Sequence, residues 1–485
     1  MPCPYLIFVS YSMPKNILII GGGISGLSLL HYLKQRYAGE NAGILLLEKN
    51  GHLGGTIRTI ARNGSLFETG PNGFLDSKRR TLDFIRAIGL EDELVRADEE
   101  SNIRYLSVNN ALHPLPMGPK SFVTFNLLNP VEKIRVLGEM FVPRGENPDE
   151  SVYDFGKRRF GEKFAQLFLD SMVSGVYAGD ARKANLKMVF PRIAELEREH
   201  GSLFRAMFKI RKAKKKQARG NGGKAGKGAM GAPVGRLTSF RGGVGQMIGK
   251  AGALYQDNIR LGQDIEQINF EGGRYRARSA NGAAFEADEL YVCTPAYAAG
   301  PMLKPIDPGL SRALDQVYYA PIAVLGLVCP AGIFSNRPKG FGYLIPSSQR
   351  KEILGVLFES NIFPGRCPQG QVMFRIMIGG ARYPDILEKA KGELIRLALE
   401  EINAFTGRGP SGLREDDLSE LFFVSYARAI PQYDQDYCKA VNVIEDHSAR
   451  HPRLHLVANY LKGVSLNDCI ENAYQAAQEN RDTSD

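Results

Sequence analysis

Hydrophobic residues along this chain fall into a few patterns that predict its elements before any chemistry is considered. The run Asn16 to Ile20 (NILII) is of the type that forms a strand buried on both faces. Leu27, Leu30 and Leu33 follow at the spacing of one helix face. ILLLEKN, ending past Glu48, reads as a second strand. From Gln316 to Asn336 there is no charged residue for 21 positions, long enough on paper to span a bilayer. Pro321, Pro330 and the β-rich IAVLGLV instead predict a buried strand followed by a turn. Near the end, Ser465 and Asp468 form a helix-start pair, and Ile470, Ala473, Tyr474 and Ala477 continue at helical spacing. Between Ala111 and Pro191 helical patterns alternate with apolar runs such as SFVTFNLLNP that look exposed.

A chain of 485 residues and 53.5 kDa is too long for one core, so two or three domains are expected. Its six cysteines include no CxxC pair, which predicts neither a disulfide framework nor a metal site and fits a reducing, cytoplasmic setting. The net charge of +10 is local: 12 Lys or Arg and no acid lie between Arg205 and Arg241, leaving the remainder at −2. That run reads first as a solvated loop, then as a contact for acidic lipid, and third as a nucleic-acid contact. The lack of aromatic interleaving beyond Phe208 in FKIRKAKKKQARGNGGKAGKG disfavours the third, so no nucleic-acid partner is expected. MPCPYLIFVSYS lacks a basic start and a cleavage site, so no signal peptide is read there, and Met13 is a second candidate start. No transmembrane helix is predicted.

The first chemical signal is Gly21, Gly23 and Gly26 in G-x-G-x-x-G, between the first strand and the first helix. The first glycine allows the tight turn, the second admits a pyrophosphate to the backbone, and the third packs helix on strand. Glu48 follows Gly26 at the spacing where a carboxylate accepts from a ribose diol. Two further glycine turns follow, HLGGTIRT with Gly54 and Gly55 and FETGPNGF with Gly70, Pro71, Asn72 and Gly73. A nicotinamide has no evident need of them, whereas an isoalloxazine wrapped by close backbone does. There is no H-E-x-x-H, no G-x-S-x-G and no His/Asp/Ser set; His31, His113 and His200 read as isolated helix-surface or loop residues.

These stretches, with VSGVYAGD (173–180), SFRGGVGQM (239–247), GFGYLIPSS (340–348), LGVLFESNIFP (354–364) and GVSLNDCIENA (463–473), resemble the protoporphyrinogen oxidases within the flavin amine oxidase superfamily. The resemblance runs from Met13 to about Ala477. It implies an α/β (α+β) fold with a Rossmann-like FAD-binding domain of amine-oxidase type, discontinuous over 13–88, 237–300 and 447–480. A mixed-sheet substrate domain would take 89–110 and 301–446, and a helical membrane-facing domain 111–236, with a basic Gly-rich loop at 205–235. FAD, held non-covalently, would be met by Gly21, Gly22, Gly23, Ile24, Ser25, Gly26, Glu48, Lys49, Gly54, Gly55, Thr56, Gly70, Pro71, Asn72 and Gly73. Ile265, Tyr426, Val464, Ser465 and Leu466 would complete its site, the last three pointing backbone N–H groups at the isoalloxazine. Arg104 would pair with a tetrapyrrole propionate, Gly175 would lie against the macrocycle, and Leu344, Leu357 and Met377 would line it.

The implied reaction is six-electron oxidation of protoporphyrinogen IX, with oxygen as acceptor and hydrogen peroxide as product; coproporphyrinogen III is the alternative substrate. The flavin carries the redox chemistry, so no catalytic side chain and no metal are expected. A peripheral place on the inner face of the cell membrane, a ferrochelatase partner and a homodimer are further implications. Amine and polyamine oxidases, whose aromatic cages often use Trp, are the nearest rivals, and this chain has no Trp. A carotenoid desaturase would lack VSGVYAGD, and a scaffold without turnover would not need the intact glycine sets. Two departures from the resemblance stand out: Val457-Ala458-Asn459 where Ala-Gly is usual, and the basic insert around Lys214 to Gly235.

Overall fold

Five short strands drawn from three widely separated stretches of the chain lie side by side in one parallel sheet. In the computed structural model their order is Ile259–Arg260, Ala42–Leu47, Lys15–Ile20, Glu289–Val292 and Leu454–Leu456. The structure describes residues 15–220, 235–334, 339–406 and 412–479, with backbone alone for 213–220. The second candidate start at Met13 and the Gly-rich half of the basic insert lie outside the described residues.

A parallel sheet must be covered on both faces, and the first strand alternates accordingly. Ile17 and Ile19 face a core shared with the helices Ile24–Arg36 and Leu466–Glu479. Leu18 and Ile20 face the opposite core, with Ile265, Ile268, Tyr275 and Ala277 of a three-stranded antiparallel sheet. Leu303, Leu310, Leu314, Tyr437 and Ile444 join that second core, bringing the helices Ala296–Leu303, Pro308–Asp315 and Gln435–Ser448 onto it.

The second large sheet has seven strands, in the order Glu420–Pro431, Tyr319–Pro330, Gln371–Gly379, Ile353–Phe358, Gly342–Leu344, Arg104–Val108 and Ala111–Pro114. The uncharged stretch is its second strand, Tyr319–Pro330, buried along 11 of its 12 residues. One face carries Leu325, Leu327, Phe374, Ile376 and Val356 into a core with the helix Lys391–Thr406. The other face, with Val324, Met373, Met377, Phe422 and Tyr426, packs on Phe67.

Residues 119–220 are mostly helical and centre on Arg159, whose side chain is fully buried. Its guanidinium donates to Glu197 (2.7 Å) and Glu139 (3.1 Å), so the charge is paired rather than stranded. A π-helical turn, Ala165–Leu169, precedes the helix Asp170–Tyr177 that carries Gly175. The expected 89–110 segment divides: Arg104–Val108 joins the seven-stranded sheet, whereas Leu94–Arg96 pairs with Leu237–Phe240, which also pairs with Phe74–Leu75. Among the described residues no helix is long and apolar enough to cross a membrane.

Candidate functional site

The glycine loop fits a dinucleotide on three observations. A Cβ on Gly26 would stand 2.0 Å from the Gly21 carbonyl oxygen, so helix and loop touch there. A Cβ on Gly23 would meet nothing within 4 Å, leaving open space at the backbone where a pyrophosphate would approach. The helix Ile24–Arg36 starts at Gly23 with no side-chain cap, so its first N–H groups are free for an anion. Glu48, only 6% exposed, accepts from the Gly22 N–H (2.7 Å) and from Asn50, and its remaining lone pairs can take a ribose diol. Ile265 is buried nearby, because Gln263 donates its N–H to the Glu48 carbonyl (2.9 Å). Lys49 is exposed beside this site.

The second and third glycine turns are locked to the first and to each other. Gly54 donates to the Gly22 carbonyl (2.9 Å), and the Thr69 hydroxyl donates to the Thr56 carbonyl (3.0 Å). A Cβ on Gly70 would stand 2.3 Å from the Thr56 oxygen, and one on Gly73 2.5 Å from the Thr238 oxygen. Gly55 and Thr56 are exposed, and Gly70, Pro71, Asn72 and Gly73 are half-buried. The Asn72 amide and the Thr294 hydroxyl are buried without a hydrogen-bond partner. Thr294 stands beside Gly21, where an unpartnered hydroxyl is what a missing polar ligand leaves, whereas the Asn72 amide is turned toward Glu359.

The C-terminal helix lies parallel to the first helix, start beside start. Ser25 is within hydrogen-bond reach of the Cys469 thiol, the Tyr32 and Tyr474 rings meet edge-on at 5.1 Å, and Arg36 donates to the Ala477 carbonyl (2.8 Å). One expectation changes here. The Ser465 N–H is taken by the Asp468 carboxylate (3.3 Å), which also accepts from the Ser465 hydroxyl (2.6 Å). Val464 and Leu466 are left as the N–H groups free to meet a ligand, and the Asp468 charge offsets part of the helix dipole. Asn467, unmarked in the sequence, accepts from the Thr81 hydroxyl (2.6 Å) and donates to the Leu75 carbonyl (3.2 Å). It thereby ties this helix start to the exit of the Gly70–Gly73 turn. At the departure before this helix, Val457 and Ala458 are both buried, so the extra methyl of Ala458 is absorbed in the core.

On the seven-stranded sheet, Leu344, Leu357, Met377 and Tyr426 lie on the face opposite the Lys391–Thr406 helix, each partly buried. They are spread along it rather than clustered: Met377 and Tyr426 pack near Phe67, Leu357 near Phe363, and Leu344 near Leu106 and Phe168. A Cβ on Gly175 would stand 2.6 Å from Leu344, which places the helix Asp170–Tyr177 directly over that leucine. That helix is held by Asp170, which accepts from Arg382 (2.9 Å) and from the Ser347 N–H (2.7 Å). Arg104 begins its strand in register with Gly342, exposed, with its guanidinium 4.9 Å from the Phe341 ring and no carboxylate partner among the described residues.

His31 departs from its expected helix-surface place. It is 4% exposed, its Nδ1 lies 2.6 Å from the Tyr255 hydroxyl, and burial pulls its pKa down to about 4. Four buried charges between the glycine turns and the sheet, namely Glu68, Glu359, Arg366 and Arg375, carry no signal in the sequence at all.

The profile of a family described as "Flavin containing amine oxidoreductase" matches residues 24–479. The chain is 29% identical to protoporphyrinogen oxidase 1, chloroplastic, of Arabidopsis thaliana, over 96% of this chain and 88% of that protein. It is 25% identical to coproporphyrinogen III oxidase of Bacillus subtilis (strain 168), over 96% and 97% respectively. A crystal structure from Exiguobacterium sp. 255-15 superposes with a TM-score of 0.79 at 22% identity, covering 96% of this chain and 99% of that one, a likeness of fold.

Proposed function

Because the chain belongs to the flavin-containing amine oxidoreductase family, we propose that it is an FAD-dependent oxidase converting protoporphyrinogen IX to protoporphyrin IX. The single observation that carries the substrate reading is the sheet face on which Leu344, Leu357 and Met377 align, roofed at one end by Gly175 and entered past Arg104.

When bound, the flavin supplies the two-electron acceptor, used three times per macrocycle, with oxygen as the final acceptor and hydrogen peroxide as product. The chain's own residues bind and orient. The three apolar side chains offer one dry face to a macrocycle, and Gly175 closes it at the Leu344 end, where its backbone is already in contact with that leucine. Arg104, without a carboxylate partner among the described residues, gives a charge-assisted hydrogen bond to a propionate and so fixes which edge points outward. No side-chain acid or base need touch the reacting carbon.

Aerobic and anaerobic turnover of protoporphyrinogen IX and coproporphyrinogen III, read by product fluorescence, tests this reading. The expected result is faster formation of protoporphyrin with oxygen consumed. Preference for coproporphyrinogen III would move the assignment to the alternative.

A second observation favours a peripheral membrane site. Val123, Val131, Ile134, Leu137 and Phe141 are each 59–80% exposed along the one stretch 123–141, an apolar patch that water does not favour. Co-sedimentation with anionic lipid vesicles, lost in an Ile134→Ser/Phe141→Ser variant, is the expected outcome.

A further inference from the structure

Four ionisable side chains are sealed between the third glycine turn and the substrate sheet, none more than 5% exposed. They alternate in sign. Glu68 pairs with Arg366 (3.4 Å), and Glu359 pairs with Arg375 (3.8 Å). Glu68 is well anchored on the flavin side, accepting from the Val244 N–H and the Thr59 hydroxyl (2.8 Å each). Arg366 donates to the Ser239 hydroxyl (2.7 Å).

The second pair is different in kind. Neither oxygen of Glu359 has a well-formed hydrogen bond, and the Asn72 amide approaches it without completing one. Burial pushes the Glu359 carboxyl up from its ordinary range, against the pull of Arg375 and Arg366. Arg375 is opposite Leu357 on one neighbouring strand and Gly326 on the other, on the face that carries Met377. Its guanidinium donates to the Gly70 carbonyl. One arginine thus holds both the substrate floor and the turn expected to meet the isoalloxazine. A buried ion pair this loosely bonded is a poor source of stability, and replacing it with apolar residues often costs nothing. Its charges, however, act at close range in a dry region, where electrostatic effects are large.

We propose that Arg375 and Glu359 are positioning residues that seat the Gly70–Gly73 turn and set the reduction potential of the flavin it meets. Arg375 meets the turn at Gly70 and Glu359 meets it at Asn72, so the carboxylate offsets the guanidinium charge at the turn itself. Removing Glu359 alone leaves an uncompensated cation beside a group that becomes more negative on reduction. Removing Arg375 alone leaves the opposite imbalance. The inference rests on the flavin reading and not on the identity of the porphyrinogen.

The test is a redox titration of the purified holoenzyme, read by flavin absorbance. Glu359→Gln should shift the equilibrium toward reduced flavin about tenfold, about 30 mV for a two-electron couple. Arg375→Gln should shift it a similar amount the other way, and the double variant should return to within threefold of wild type. Arg375→Lys, which keeps the charge, should stay near wild type. Shifts of one sign in both single variants, or no shift beyond twofold in either, would overturn the proposal. Where Glu359→Gln melts early, Glu359→Asp should restore the wild-type potential, and failure to do so would also overturn it. The titration uses no porphyrinogen, so a wild type inactive on porphyrinogens leaves the result readable.

Discussion

Gly175 and Leu344 meet across the gap between a helix and a sheet, so closely that a Cβ on the glycine would stand 2.6 Å from Cδ2 of the leucine and 2.9 Å from Cδ1. Leu344 is only partly buried, and its side chain can swing aside at a cost of about 1 kcal/mol. Gly175→Ala should therefore fold, hold flavin and raise KM by displacing Leu344 into the macrocycle's space. Adding Leu344→Ala should bring KM back toward wild type. Steady-state kinetics on the three variants checks this, and an unchanged KM in Gly175→Ala would remove the roof from the site.

Arg104 is held by no carboxylate among the described residues, so its loss should leave stability and the flavin spectrum untouched. A charge-assisted hydrogen bond is worth about 1.5–3 kcal/mol, which predicts a KM for a propionate-bearing porphyrinogen raised about tenfold or more in Arg104→Ala. Turnover at saturation should be nearly unchanged. Equal kinetics in variant and wild type would take Arg104 out of the site.

Two glycines of the same loop should separate binding from folding. Gly23 has an ordinary φ of −75° and open space at its missing Cβ, so Gly23→Ala should melt like wild type yet bind flavin weakly. Gly26→Ala forces a methyl onto the Gly21 carbonyl at 2.0 Å and should lower the melting temperature as well. Thermal melts and flavin titration of the apoproteins distinguish the two.

Deleting the chain from Gly463 onward removes the partner helix of Ile24–Arg36 and should abolish flavin binding. Asn467→Ala is the milder form of the same test, cutting the links to Thr81 and Leu75 while keeping the helix. It should weaken flavin affinity with little loss of helicity by circular dichroism. Stoichiometric flavin retained by the truncated protein would contradict the shared site.

Acid should expose the bond network of Glu289. This carboxyl is fully buried; burial alone would raise its pKa, but His455, Lys15 (2.5 Å) and Tyr291 (2.7 Å) outweigh it and hold it down to about 2. A depressed carboxylate stabilises the fold above its unfolded pKa of about 4.5 and loses that contribution as the pH falls toward 2. Glu289→Gln should thus be less stable than wild type at pH 6, by on the order of 2–3 kcal/mol, with the gap closing between pH 4.5 and 2. Urea melts across that range measure it, and a gap independent of pH would refute it.

The flavin half of the molecule was readable because its signals are local. Strand, glycine turn, helix and Glu48 follow one another directly from Lys15 onward, and each obeys a short-range rule of backbone space or hydrogen bonding. The uncharged stretch was readable as a strand for the same reason, since Pro321 and Pro330 are incompatible with a long helix. Arg375 and Glu359 were not, because an arginine inside MFRIMIGG looks like any strand residue until the fold sets it against Gly70, 305 positions away. Nor was the burial of His31, since helical spacing alone does not say that Tyr255 arrives on that face. The Ser465–Asp468 pair was legible as a cap, but not that it takes up one of the very N–H groups expected to meet the flavin.

The order of strands in the parallel sheet has a consequence for how the protein is made. The strand Lys15–Ile20 sits at the centre, and its neighbours arrive from Glu289–Val292 and, one place further out, Leu454–Leu456. Contacts so distant in sequence form slowly, because long loops must close before burial rewards them. During synthesis the glycine loop emerges hundreds of residues before the helix that lies beside it. For that interval the core around Leu29, Leu30 and Leu33 lacks Ile470, Ala473 and Ala477, and a nascent chain must wait with part of its apolar surface uncovered. Cofactor uptake then waits on the arrival of Leu466–Glu479 and is open to rescue by added flavin.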